Sequence, residues 1–166
     1  MEQVLDPGHD VDASSAPTGY PTGVIVRFGS ARYAVAMSSV AEVVPVPVTS
    51  RVPGCPHWLA GVVNWRGRVL PVIDPRTLLG TELTPLPSSA RLLVLSVDGI
   101  EAGLIGEAVS GLLEAGDTAV EPPPATASPQ AASLVTGVVT DAAGPISLLD
   151  ASAVLALRSH LPTAHR

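Results

Sequence analysis

Short apolar runs broken by glycine, proline and paired turn residues fill this chain, and their period is two far more often than the period of a helix. Val24, Val26 and Phe28 alternate with Ile25 and Arg27, a Gly29-Ser30 turn follows, and Tyr33, Val35 and Met37 complete a first predicted hairpin. Ser38 to Glu42 is expected to make one helical turn with a serine cap. Val43 to Val48 then reads as a strand whose two prolines place it at a sheet edge. Between Gly61 and Ile73, β-branched runs flank Trp65-Arg66-Gly67-Arg68, which predicts a hairpin with Gly67 at positive φ in its tip. A helical turn over Pro75 to Leu79 and a Pro/Ser connector over Thr81 to Ser89 follow.

A second set of strands is expected over Arg91–Val97, Ile100–Gly106, Val109–Leu113, Leu134–Thr140 and Ile146–Leu149, with Asp98-Gly99 as a tight turn. Four prolines make Glu121 to Ala132 an extended loop. Val154, Leu155 and Leu157 space one short amphipathic helix, starting near Asp150, to pack across a barrel mouth. About ten short strands predict an all-β fold of closed barrels, because closure removes exposed edges. The halves echo one another, Ala60-Gly61-Val62-Val63 against Thr136-Gly137-Val138-Val139, each followed by a strand, an aspartate and a helical segment. A duplicated small barrel follows from that echo. Residues 1–22 mix acidic, Ser, Pro and Gly residues without periodicity and are expected to be a disordered acidic leader; 159–166 is a tail.

Composition removes several functions. The net charge of −6 and an aromatic content of 3% argue against nucleic acid, which needs a basic footprint and stacking platforms. With 46% hydrophobic residues the 166-residue chain can fill a core. One cysteine, Cys55, forms no internal disulfide and supplies no thiolate cluster. The first 22 residues carry four carboxylates and no basic residue, unlike a signal peptide, so a cytoplasmic location without membrane insertion is expected.

Charge distribution adds more than its total. Arg51, Arg66, Arg68, Arg76 and Arg91 stand against only Asp74 and Glu82 in their stretch, whereas the rest of the chain has four arginines and thirteen carboxylates. A locally basic region on an acidic body favours an acidic protein partner. Arg66, held at a hairpin tip with a planar five-donor fork, suits a carboxylate on another molecule.

Enzymatic readings fail on spacing. Cys55 and His57 are separated by Pro56 and have no third orienting group, and His9, His160 and His165 sit too far off to complete a metal site. No catalytic residue, cofactor or metal is expected. Asp74 and Glu107 are best read as turn caps or solvent-facing carboxylates, and no phosphate-binding glycine motif occurs. Trp58 is expected in the core and Trp65 beside the Arg66 patch.

The stretch GVVNWRGRVLPVIDPRTLLG, over Gly61–Gly80, closely resembles the signature of the CheW family of chemotaxis coupling proteins, through Gly61, Val62, Asn64, Arg66 and Gly67. VIVRFGSARYAVAMSSVAEVVPV, AGLIGEAVSGLLE and LVTGVVTDAAGPISLLDASAVLAL extend the resemblance to residues 23–158. Trp65 and Pro75 stand where the family more often has aliphatic residues. The resemblance implies two intertwined five-stranded SH3-like β-barrels with an apolar groove between them. It also implies a scaffold that links the cytoplasmic tip of a methyl-accepting chemoreceptor to the regulatory domain of a CheA-type histidine kinase. Carried to this chain, the binding patch is Arg66, Asn64, Val40 and Glu42, with Trp65 and Arg68 beside them. Val97, Ile100 and Leu104 are candidates for an apolar kinase-docking surface, with core packing as the alternative and the weightier reading. Such a protein is expected to be monomeric alone and to join receptor arrays through its partners. Two alternatives stand beside it: an adaptor of the same kind recruited to gliding, twitching or another chemosensory pathway, and a double barrel whose groove holds a small ligand.

Overall fold

The computed structural model describes residues 19–117 and 119–161. Most of the acidic leader, residues 1–18, and residues 162–166 of the tail lie outside the described residues. Ten strands alternate with tight turns: β1 (Gly23–Phe28), β2 (Ala31–Ala36), β3 (Val40–Pro45), β4 (Leu59–Trp65), β5 (Arg68–Ile73), β6 (Arg91–Val97), β7 (Ile100–Gly106), β8 (Ala108–Leu113), β9 (Val135–Asp141) and β10 (Gly144–Leu149). Two short helices, α1 (Pro129–Leu134) and α2 (Ala151–Ala156), complete the fold.

The strands form two five-stranded sheets, ordered β8-β1-β2-β10-β9 and β3-β6-β7-β5-β4. Each has the same plan. A central antiparallel hairpin (β1–β2 or β6–β7) takes an antiparallel outer strand on one side (β8 or β3). On the other it takes a second hairpin, joined through a parallel pair (β2–β10 or β7–β5). The chain is therefore duplicated, β1–β5 matching β6–β10, but the copies exchange parts: the first sheet takes its central hairpin from one copy and its remaining strands from the other. Residues 81–89 run from β5 to β6 within the second sheet. The crossings between sheets are the 3₁₀ turn Met37–Ser39 and the single residue Glu107.

Bulges curl both sheets at matching places. Extra residues sit at Ala41 in β3 and Ser110 in β8, and at Ala60 in β4 and Thr136 in β9. Closure is by one bridge in each lobe instead of a full ladder: Ser50 pairs with Val62, and Glu121 with Val138. The echoed glycines explain themselves here. A Cβ on Gly61 would overlap the Ser50 carbonyl, and one on Gly137 would stand 2.7 Å from the Glu121 carbonyl, so each glycine lets the closing segment come within bridging distance.

Apolar residues fall into three layers. Ile25, Ala34, Leu113, Val139 and Ile146 fill the first lobe, and Val63, Leu70, Val72, Leu92, Val94 and Ile105 fill the second. The largest cluster lies between the lobes, where Val24, Val26, Phe28 and Val35 meet Ile73, Leu93, Leu95 and Leu104, with Val154 and Leu155 of α2 laid across the seam. The interface between lobes is apolar, as expected, and is filled by side chains. Trp58 belongs to it.

Three local expectations change. Val40 to Glu42 is strand, because pairing with β6 outweighs a serine cap; the helical turn is confined to Met37–Ser39 and has no side-chain cap. Pro75 to Gly80 makes hydrogen-bonded turns without a helix. The proline-rich loop ends in α1, where Ser128 caps the Ala131 amide and Pro129 takes the first position, whose amide needs no partner. Asp150 caps α2 through the amides of Ser152 and Ala153.

Candidate protein-interaction site

The β4–β5 turn is the two-residue loop Arg66-Gly67, closed by the Trp65–Arg68 pair. Both residues have positive φ, 52° and 79°, as a type I′ turn requires. Asparagine or aspartate usually takes the first of these places; an arginine there carries a cost of about 1 kcal/mol. Among the described non-glycine residues only Asp98, in the β6–β7 turn, shares the conformation. Asn64 holds the turn: its Oδ1 accepts from the Gly67 amide at 3.0 Å.

Arg66 is thereby aimed outward. Its guanidinium lies over the Trp65 ring, 5.2 Å from the centroid, and Nη2 contacts Glu42 Oε2 at 2.6 Å. The pair is open to water, with the Arg66 side chain 67% exposed, so it adds at most about 1 kcal/mol to stability and exchanges easily for another carboxylate. The bulge at Ala41 separates Glu42, which turns to Arg66, from Val40, which is half-buried against the central cluster. Arg66, Asn64, Glu42 and Trp65 thus form one patch with Val40 at its edge. Arg68 points elsewhere, to Glu101 Oε1 at 2.6 Å.

The second expected surface is smaller than predicted. Ile100 is exposed and Val97 half-buried, and both line a shallow cavity of about 160 Å³ against Ser152, Leu155 and Ala156 of α2. Leu104 is fully buried in the central cluster and cannot dock anything. It sits in a strand covered on both faces, so alternation along the chain gives no sign of which residues face out.

The basic region is also altered by its partners. Arg76 is 4% exposed and bound between two carboxylates that are nearly as buried: Nη2 to Asp74 Oδ2 at 2.8 Å, and Nη1 to Glu107 Oε1 at 3.3 Å. Its hydrogen bonds to Asp74 raise the guanidinium pKa further, against the opposing effect of burial. Glu107 Oε2 accepts from the Gly29 amide at 2.8 Å, and Arg76 donates to the Thr84 carbonyl. Of the two expected roles, turn cap or solvent-facing carboxylate, both residues take the first, Asp74 accepting from the Arg76 amide and Glu107 from the Gly29 amide, and with Arg76 they also tie the first lobe to the second at the crossing residue. The sequence signal was the Asp-Pro-Arg spacing of residues 74–76, visible only in part because Glu107 comes from the distant crossing between β7 and β8.

Cys55 is half-buried and His57 exposed in the loop before β4, and no group of three metal-ligating side chains occurs among the described residues. His9 and His165 fall outside them. No helix among the described residues is long and apolar enough to cross a membrane.

Comparison with known proteins agrees with this geometry. The model of the CheW-like domain matches residues 22–159. The chain is 28% identical to chemotaxis protein CheW of Rhizobium meliloti over 131 residues, covering 79% of this chain and 84% of that protein. It is 40% identical to protein PilI of Pseudomonas aeruginosa over 91 residues, 55% of this chain and only 51% of PilI, so that match spans about half the relative's length. Protein FrzA of Myxococcus xanthus is 31% identical over 98 residues, 59% of this chain and 61% of that protein. Among solved structures, the scaffolding protein TtCheW of Thermoanaerobacter tengcongensis superposes with a TM-score of 0.70 at 25% identity, over 78% of this chain and 88% of that one. The chain belongs to the CheW-like domain family and is a non-catalytic adaptor of that family.

Proposed function

We propose that this adaptor couples the cytoplasmic tip of a methyl-accepting chemoreceptor to the regulatory domain of a CheA-type histidine kinase, within cytoplasmic receptor clusters. The patch of Asn64, Trp65, Arg66, Glu42 and Val40 is the receptor-facing contact, and the Val97–Ile100 edge beside α2 is the kinase-facing one. One observation carries the reading: Arg66 is kept in a left-handed turn and propped on Trp65 at 67% exposure, a conformation that contributes nothing to the core and presents a charge-directed fork to another molecule. Acting through binding alone, the protein raises the effective concentration of kinase at the receptor and favours one kinase conformation.

Capture from the native cytoplasm with the tagged chain, beside an Arg66→Glu control, tests this. A histidine kinase and a chemoreceptor are expected with the native chain, at least one of them lost with the control. Similarity to PilI and FrzA, beside the proteins named CheW, supports a second reading in which the adaptor serves another chemosensory or motility pathway. Recovery of a kinase without a classical chemoreceptor favours that reading; recovery of neither rejects both.

A further inference from the structure

Beside the Arg66 tip, a cavity of about 220 Å³ opens between the β4–β5 hairpin, the β6–β7 turn and the 3₁₀ turn Leu157–His160. Its charged walls are Arg68, Arg158 and Glu101, two cations against one carboxylate. Arg158 reaches in from the C-terminal turn and donates from Nη1 to the Glu101 main-chain carbonyl at 2.6 Å, yet has no carboxylate partner among the described residues. Glu101 gives its carboxylate to Arg68, which is 64% exposed. Another wall is apolar, made by half-buried Trp65 and by Val69, which is 73% exposed. Asp98, the nearest further acid in sequence, lines the neighbouring cavity beside Val97 and Ile100 instead.

We propose that this pocket seats an acidic side chain of a protein partner, flanked in the partner by an apolar residue that lies on Val69 and Trp65. A guanidinium with an unmatched charge and open N–H groups is a ready acceptor site for a carboxylate, and paired arginines hold one in the bidentate geometry that lysine cannot offer. Glu101 occupies half of that site in the free protein; its side chain is 20% exposed against 64% for Arg68, so an incoming carboxylate takes the open side of Arg68 while Glu101 keeps its contact. The pocket adjoins Trp65 and continues the Arg66 patch, which supplies the case for a protein as the source of the acid. To that extent the proposal rests on the adaptor reading.

The test uses the full chain and an acetylated, amidated Leu-Glu-Glu-Leu peptide, with Leu-Gln-Gln-Leu as control, followed by NMR of the Trp65 indole N–H and the Arg158 Nε–H. The acidic peptide is expected to shift both resonances saturably and the control at least about fivefold less well; Arg158→Gln weakens the response about tenfold. Arg68→Gln, on an exposed side chain outside the core, weakens it as well without touching the fold. Equal response to both peptides, native response in both variants, or no response to the acidic peptide overturns the proposal. Capture of kinase or receptor with no peptide response overturns the pocket and leaves the adaptor reading standing; peptide response without capture does the reverse.

Discussion

Glu42 on β3 and Arg66 in the β4–β5 turn meet at 2.6 Å across the gap between the two outer strands of one sheet. The ion pair therefore closes the seam of the second lobe at its tip, while Ser50 and Val62 close it lower down. A residue proposed to meet a partner thus also acts as a clasp, and the two roles separate experimentally.

Arg66→Glu is expected to leave the urea midpoint within about 1 kcal/mol of the native chain, because the pair is solvated, and to weaken partner binding by about 1–3 kcal/mol. Combining it with Glu42→Arg should restore the clasp without restoring binding. A double-mutant cycle on stability with coupling well above 1 kcal/mol would make Arg66 chiefly a structural residue.

Gly61→Ala is expected to cost about 2–4 kcal/mol, since the new Cβ meets main chain at Ser50 and φ is +149°. Gly137→Ala should cost less, about 1–3 kcal/mol, because its φ is ordinary, although its Cβ would meet the Glu121 carbonyl at 2.7 Å as well as the Val120 side chain. Denaturant unfolding of the two variants orders them; a cost near zero at either would contradict the account of lobe closure.

Arg76→Met should destabilise by about 3–5 kcal/mol by stranding two buried carboxylates. Adding Asp74→Asn and Glu107→Gln removes the stranded charges and should recover more than half of that loss. If the triple variant is no better than the single one, the packing of Arg76 matters more than its charge.

Asp141 on the surface adds one contribution to acid sensitivity. Hydrogen bonds from Arg32, at 2.6 and 3.1 Å, hold its carboxyl down at a pKa of about 2. A group depressed on folding stabilises above its unfolded pKa, near 3.9, and that contribution fades as pH falls toward the folded value. Urea midpoints from pH 5 to pH 2 should therefore decline less steeply in Asp141→Asn than in the native chain; parallel declines would exclude this pair.

How much of this was legible follows from the range of each signal. Turns announced themselves, because Arg66-Gly67 and Asp98-Gly99 sit between alternating runs and need only neighbours to be read. The duplicated Gly-Val-Val segments pointed to a repeat, and their glycines stand where the closing segments approach the main chain. Charge did not transfer so well: Arg66, Arg68 and Arg76 find Glu42, Glu101 and Glu107 far off in sequence, so a basic stretch in sequence became a set of paired ions in space. Arg158 had no signal at all, being a lone arginine near the tail. The exchange of strands between the copies was also hidden, since a hydrophobic pattern specifies strands and faces but not partners.

That exchange bears on how the chain is made. The second sheet is assembled from β3 to β7, an unbroken stretch, whereas the first needs β1 and β2 from one end and β8 to β10 from the other. During synthesis the second lobe can close as soon as Gly106 is clear of the ribosome. The β1–β2 hairpin must meanwhile wait with Ile25 and Ala34 uncovered until the last strands arrive. A ribosome that stalls late in the message therefore releases one finished lobe carrying an orphaned sticky hairpin, the species on which a chaperone would act.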